Sequence, residues 1–321
     1  MAYKIYEHEG RAYHCGLKPR LHKGLLKSYA SVAATLTLAQ IQAAIAAGRA
    51  TLAAWVWVIL NQGQYGDCWD YSELNALMTK LNLLYGEQVL LDASMAVVLT
   101  GQYNGGGIDS AIAQVFSVTG VATAAFMGTD PTKAITKRRK AEWPSGWQAN
   151  AALRMVPDGD WSDTSNKLEL ATAIINANPA IVGVSWQGGG HALECTEVQT
   201  AASVASALEA WPDGPAKDAA RRQHDALSLP STYRDDDTGK LCQAGPCIKN
   251  LGSSSELLFA GPNSWGTDWN SGWGSYPGRA GWWLLSADSQ AMQETFSSNG
   301  FGACILDGAK DLDLAPTPAA A

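Results

Sequence analysis

Positive charge is scarce and dispersed in this chain of 321 residues: 23 lysines and arginines stand against 30 aspartates and glutamates, a formal charge of −7. Lys137-Arg138-Arg139-Lys140 is the single basic run, and such runs are usually solvated turns. Without a basic stripe, no nucleic-acid partner is expected. Long apolar runs are missing too. Residues 1–30 carry charges throughout and hold no apolar core of an export signal. The most apolar stretch, Leu36 to Leu60, is interrupted by Gln40, Gln42, Gly48 and Arg49, a poor membrane span. The expectation is therefore a protein with no membrane partner, made and kept inside a cell (cytoplasmic) or packaged from there into a particle. Cysteine is sparse as well. The six cysteines, Cys15, Cys68, Cys195, Cys242, Cys247 and Cys304, are too scattered for a disulfide scaffold. Only Cys242 and Cys247 are close, and no second short-spaced Cys or His pair accompanies them, so no metal is expected.

What is present suits a packed core: 46% of residues are apolar and 17% charged. Residues 1–50 read as a leader, with a Gly- and Pro-marked start at Gly16-Leu17-Lys18-Pro19-Arg20 and a helix from about Thr37 to Ala47. Ala53 to Leu60 reads as a strand or an extended buried segment. From Cys68 to Tyr85, apolar residues recur at steps of three and four, which predicts a helix with one buried face, ended by Gly86. Further helices are expected over Asp109–Thr119 and about Lys167–Ala177. The period then shortens to that of strands at Ala180–Trp186, His191–Val198 and Glu256–Ala260. Helices first and strands later predict an α+β protein, a helical half against a sheet half. Residues 200–255, rich in Ala, Ser, Asp and Pro, interrupt the strands as an insertion. Short helices are expected there at Ala201–Trp211 and Ala216–Leu227, and Asp235-Asp236-Asp237 reads as a solvated turn. Residues 311–321 read as a loose tail.

Cys68 opens the first long helix. A thiol attacks carbonyls well as a thiolate, and a helix N-terminus lowers its pKa because unpaired N–H groups and the helix dipole favour negative charge. Such a nucleophile needs a base near neutral pH, a group that fixes the base, and a donor for the oxyanion.

Five segments supply candidates for these roles. The first is Gln62-Gly63-Gln64-Tyr65-Gly66-Asp67-Cys68-Trp69. Glu87-Gln88-Val89-Leu90-Leu91-Asp92 and Tyr103-Asn104-Gly105-Gly106 follow. The last two are Gly190-His191-Ala192 and Asn263-Ser264-Trp265-Gly266-Thr267 with Trp269. In that order they resemble the motifs of the papain-like cysteine peptidases, over roughly Asn61 to Leu285 apart from the insertion. The resemblance implies a two-lobed fold, a helical left half and an antiparallel β-sheet or barrel right half, with the active-site cleft between them in a domain spanning 51–310. It implies Cys68 as nucleophile, His191 as base, Asn263 as the residue orienting it and Gln62 as the oxyanion donor. Gly105 and Gly106 would let substrate backbone approach, Trp265 would shield the His191–Asn263 hydrogen bond, and Trp69 and Asp70 would flank the substrate. No cofactor is implied.

The chain departs from the family in several places. The family's bridge beside the nucleophile is absent, with Tyr65 and Tyr103 at its two positions. The family's base usually follows the nucleophile by about 130–150 residues; His191 comes somewhat early and Asn263 late, the latter because of the insertion. Asp67 and Asp70 put negative charge near Cys68, which would favour a basic substrate residue or raise the thiol's pKa. The leader is a short propeptide or a structural wrap. The expected activity is peptide-bond hydrolysis by a cysteine endopeptidase, with a peptide or protein as partner. Two alternatives stand beside it: a papain-fold amidase or transamidase acting on cell-wall peptides, and a structural or interaction protein that keeps a peptidase fold. In the latter, the leader and the insertion would dock a partner protein.

Overall fold

A computed structural model describes residues 4–8, 11–20, 26–103, 105–134, 139–164, 166–186, 189–219, 221, 231–234, 241–244, 256–269, 276–297 and 300–309. The chain begins with an antiparallel hairpin of β1 (Lys4–His8) and β2 (Arg11–Cys15). A five-stranded sheet follows in the order β3 (Lys27–Ser28), β4 (Trp161–Thr164), β12 (Ala303–Leu306), β5 (Ala180–Trp186), β6 (Gly189–Cys195). Its pairs are antiparallel except β3 with β4, where the leader adds a short parallel edge. A second sheet has the order β11 (Trp282–Ser286), β10 (Leu257–Pro262), β7 (Glu197–Thr200). Among the described residues the sheets form no closed barrel. The insertion contributes a helix, Ala201–Glu209, and a hairpin of β8 (Ser231–Arg234) with β9 (Leu241–Ala244). Asp235-Asp236-Asp237, Cys247, Lys137-Arg138, most of the expected helix Ala216–Leu227 and the tail 311–321 lie outside the described residues.

The helix Cys68–Tyr85 forms as its period predicts, and Gly86 closes it at φ 70°. Its surroundings differ from the prediction. Every residue from Cys68 to Asn82 is buried, polar ones included, so the helix is wrapped on all sides and not on one face. Thr37 caps the leader helix Leu38–Ala46 through a reciprocal capping box with Gln40. Three local expectations are corrected. The stretch Asp109–Thr119 is a four-residue helix, Ile108–Ala111, running into a π-helical turn, Ile112–Phe116. The stretch Ala53–Leu60 makes a 3₁₀ turn, Ala53–Trp55, and then runs extended outside both sheets, half-buried up to Leu60. The stretch His191–Val198 is two strands in two sheets. The chain changes sheet at Thr196, whose N–H donates to the Ala260 carbonyl.

Two apolar cores result. One gathers around the helix Cys68–Tyr85, with Trp69, Leu74, Leu77, Phe116 and Trp161. The other fills the sheet side, with Trp186, Trp265, Trp269, Phe259 and Trp283. The leader bridges them: Cys15 and Tyr29 pack into the sheet-side core, Leu17 into the helix-side core.

Candidate active site

Cys68 occupies the first turn of its helix, where the Asp67 carbonyl accepts from the Asp70 and Tyr71 amides. Strand β6 passes alongside, and the Ala192 N–H faces the Cys68 thiol. Because Ala192 follows His191, this register brings base and nucleophile candidates to one place. His191 comes from the sheet and Asn263 from the end of β10, a different sheet. Their side chains meet, with His191 Nε2 and Asn263 Oδ1 2.9 Å apart.

The surroundings assign the proton on that ring. Asn263 Oδ1 also accepts the Ser264 backbone N–H at 2.7 Å, which identifies it as the oxygen of the amide. An oxygen cannot donate, so His191 Nε2 must carry the hydrogen. Nδ1 is then the unprotonated nitrogen, and it is buried with no hydrogen bond of its own. Trp265 stacks on the imidazole, centroids 4.3 Å apart and planes at 18°, and Trp186 meets it edge-on at 5.5 Å. The hydrogen bond to Asn263 is thus enclosed by aromatic rings.

Gln62 is fully buried and fixed at both ends of its amide. Oε1 accepts from the Ser264 hydroxyl at 2.5 Å, and Nε2 donates to the Tyr65 carbonyl at 2.5 Å. Its backbone is tied to the same segment, Gln62 N–H to Ser264 O at 2.8 Å. Trp69 lies under Gly106: a Cβ there would come within 2.3 Å of the indole, so position 106 tolerates only glycine against that ring. Asp70 is 1% exposed and acts on Glu73, whose carboxyl it helps raise; it is enclosed within the helix-side lobe. Asn104 lies outside the described residues.

The feature absent from the motif reading is what fills the cleft. The leader threads it. Gly106 N–H donates to Gly16 O at 3.0 Å, Lys18 N–H to Gly106 O at 2.8 Å, and Leu17 N–H to Gly190 O at 2.8 Å. Leu17 and Gly106 form a parallel bridge. The Gly16 N–H faces the Cys68 thiol. Gly16 approaches Gly66 so closely that a Cβ would sit 2.0 Å from the Gly66 carbonyl oxygen. Leu17 is 5% exposed and reaches Gly183, where an added Cβ would meet its Cδ2 at 2.7 Å beside Phe301. Farther along, the Arg20 guanidinium pairs with Asp109 of the helix side and, at 2.5 Å, with Asp163 of β4.

Occlusion dictates the electrostatics. Burial pushes the Cys68 thiol up to about 11; the Ala192, Gly16 and Trp69 amides oppose this and Asp67 adds to it. Burial likewise pushes His191 down to about 4 against the bond to Asn263. Both groups are neutral near pH 7 in this state. The cleft thus holds a thiol and an imidazole, not an ion pair.

No family model matches the chain, and no curated protein matches it. Solved structures do. Xylellain, a cysteine protease from Xylella fastidiosa, superposes at a TM-score of 0.53 over 91% of this chain and 95% of its own, at 12% identity. The clostridial cysteine protease Cwp84 does so at 0.51 over 81% of this chain, again at 12% identity. The fold is papain-like. The match spans 56% of the length of that Cwp84 chain. At such identities the likeness establishes the α+β two-lobed architecture, and the papain-like frame locates both cores and the seam between them.

Proposed function

We propose that this protein is a cysteine endopeptidase held latent by its own leader. The observation that carries the reading is the His191–Asn263 hydrogen bond under Trp265. It leaves Nδ1 unprotonated on a residue whose neighbour's amide faces the Cys68 thiol. In the reading, Nδ1 takes the Cys68 proton and the thiolate adds to a peptide carbonyl carbon. The Cys68 backbone N–H and the Gln62 side-chain amide receive the oxyanion. His191 then protonates the departing amine, and afterwards activates the water that releases the acyl group. No metal or organic cofactor enters the scheme. The substrate is a peptide or protein, with Gly105 and Gly106 as the surface on which its backbone lies.

Latency follows from how the leader sits. The Gly16 N–H faces the sulfur, and backbone hydrogen bonds to Gly106 and Gly190 hold the segment in place. This favours a short propeptide or removable plug over a purely structural wrap. The leader also contributes β3 and the buried Tyr29, so the part that must leave lies upstream of them.

The test is labelling with an epoxide-type thiol inhibitor, together with hydrolysis of a denatured protein. Full-length protein and a Cys68→Ala variant are followed by mass spectrometry. The reading expects modification at Cys68, and shortening of the N-terminus in the unmodified protein but not in the variant. Absence of labelling and hydrolysis at neutral pH, even with a leader that cannot seat, would support a structural protein instead.

A further inference from the structure

We propose that Glu197 and Arg279 are positioning residues for the candidate site: through the turn 276–282 they fix the place of Asn263, and so the hydrogen bond that orients His191. The consequence for catalysis rests on His191 being the base; the positioning itself does not.

Glu197 stands on β7 opposite Ala260 of β10, the strand that ends beside Asn263. Its side chain is fully buried, and both carboxylate oxygens are engaged. Oε2 accepts from Arg279 Nη1 at 2.5 Å and from the Thr51 hydroxyl at 3.1 Å. Oε1 accepts from Gln199 Nε2 at 2.7 Å and from the Tyr276 hydroxyl at 3.3 Å. Arg279 and Tyr276 both belong to the turn, so one carboxylate holds the turn at two points. The guanidinium lies over the Tyr276 ring at 4.4 Å and the Trp282 ring at 5.2 Å, joining the two ends of the turn. Such a fastening is needed, because the turn contains two glycines in the left-handed region, Gly278 at φ 75° and Gly281 at φ 74°, and glycine backbone is free to move when nothing holds it. On the outer side, Trp211 of the insertion rests on Gly278: a Cβ there would meet its Cη2 at 2.2 Å.

The turn carries Asn263. The Gly281 carbonyl accepts the Asn263 N–H at 2.7 Å, one position past the pairing of Pro262 with Trp282 in the β10–β11 ladder. In a regular antiparallel ladder the two residues of a hydrogen-bonded pair exchange two bonds. Here the Gly281 N–H goes instead to the Trp269 carbonyl, also at 2.7 Å. One glycine thus ties the backbone of Asn263 to that of Trp269, whose ring meets Trp265 edge-on with centroids 5.7 Å apart. The amide that accepts from His191 Nε2 and the ring stacked on the imidazole therefore both depend on where Gly281 sits. Gly281 is two residues from Arg279. If the turn slackens, Asn263 Oδ1 drifts from Nε2 and the imidazole loses the bond that aims its Nδ1.

The test is proton NMR of the full chain with the heavy nitrogen isotope in the rings of its five histidines. His191 is assigned by its loss in His191→Gln. In the parent its Nε2–H gives a slowly exchanging downfield resonance. In Arg279→Met that resonance moves upfield and its exchange with water quickens by about tenfold, the size of effect that fits loss of a bond to a charged group. Arg279→Lys restores part of the shift, because the charge returns without the planar fork. Where Arg279→Met alone leaves Glu197 buried without its cation and the fold is lost, Glu197→Gln combined with Arg279→Met removes both charges and gives the same change. Ile174→Val, a small cavity in the same sheet-side core, lowers the urea midpoint without moving the resonance. An unmoved resonance in the folded Arg279 variants, or an equal change in Ile174→Val, would overturn the inference. Hydrolysis of a denatured protein separates this idea from the peptidase reading, with kcat expected to fall in Arg279→Met at constant KM. A moved resonance in a protein that never cleaves peptide keeps the positioning and refutes the peptidase. A protein that cleaves, with the resonance unmoved in the variants, does the reverse.

Discussion

Replacing Arg20 by methionine removes the cation that ties the leader to both halves of the molecule. The Arg20 side chain is 2% exposed, and the two carboxylates that it joins, Asp109 and Asp163, are 15% and 17% exposed. Behind them lies Glu73, whose carboxyl is raised chiefly by burial, then by Asp70 and Asp109, and lowered by Arg20. Removing one partner of a buried ion pair leaves uncompensated charge and costs about 3–5 kcal/mol. In the opened state Arg20 and its partners are hydrated, so the loss falls on the closed state. Taking the lower end, with about 1.4 kcal/mol per factor of ten, the open population rises about 100-fold. The rate of Cys68 alkylation follows that population when opening and closing are fast relative to the reaction. The assay is iodoacetamide labelling of Cys68 by mass spectrometry at fixed pH. A urea midpoint measured in parallel detects general unfolding, and Lys18→Met, at an exposed position, serves as control. Labelling of Arg20→Met within about threefold of the parent, with the fold intact, would refute the clamp, since ~0.6 kcal/mol lies far below a broken buried pair.

Gly16→Ala tests the same closure sterically: its Cβ would meet the Gly66 carbonyl oxygen at 2.0 Å, so the leader unseats and Cys68 labelling accelerates without loss of the second half's fold. Asn263→Ala frees the imidazole that its Oδ1 now holds at 2.9 Å, and kcat on a peptide substrate falls by about 100-fold or more with little change in KM. Acid should loosen the leader. His191 is lowered to about 4 in the closed cleft and returns toward its ordinary value of 6.5 when hydrated. Its contribution to closure is therefore complete above pH 6.5 and is lost as pH falls from there to about 4, a change of about 3 kcal/mol at most. Hydrogen exchange at the Leu17 and Lys18 amides, corrected for intrinsic rates, should speed up across that window; protection unchanged down to pH 4 would contradict the assignment.

Much of the candidate site was visible as motif, and its assembly follows from two strands of different sheets, β6 where it begins and β10 where it ends, meeting at one point. The helix at Cys68 was legible because its apolar spacing and closing glycine are local properties. Strand β5 was legible for the same reason, as a short β-branched run. The switch of sheets at Thr196 was not, because one residue's N–H going to Ala260 rather than along β6 leaves no trace in hydrophobic period. The π turn at Ile112–Phe116 was missed because its side-chain spacing differs little from that of an ordinary helix. The full burial of Cys68–Asn82 was missed because polar residues such as Glu73 and Asn75 mimic an exposed face.

By itself, the sequence determined which residue types occur in which order: a cysteine at a helix start, a histidine on a strand, an asparagine beside tryptophan, and glycines wherever two backbones must touch. Only the tertiary structure decided that the leader lies in the cleft and that Arg20 pairs with a carboxylate on each side of it. The physical reason is one of range. Helix period and caps act over a few residues. The leader is seated by hydrogen bonds to Gly106 and Gly190 and by ion pairs to Asp109 and Asp163, partners remote in the chain and near only once both lobes have packed. The thiol that the motif marked as reactive is, in the folded chain, one whose pKa burial pushes up to about 11.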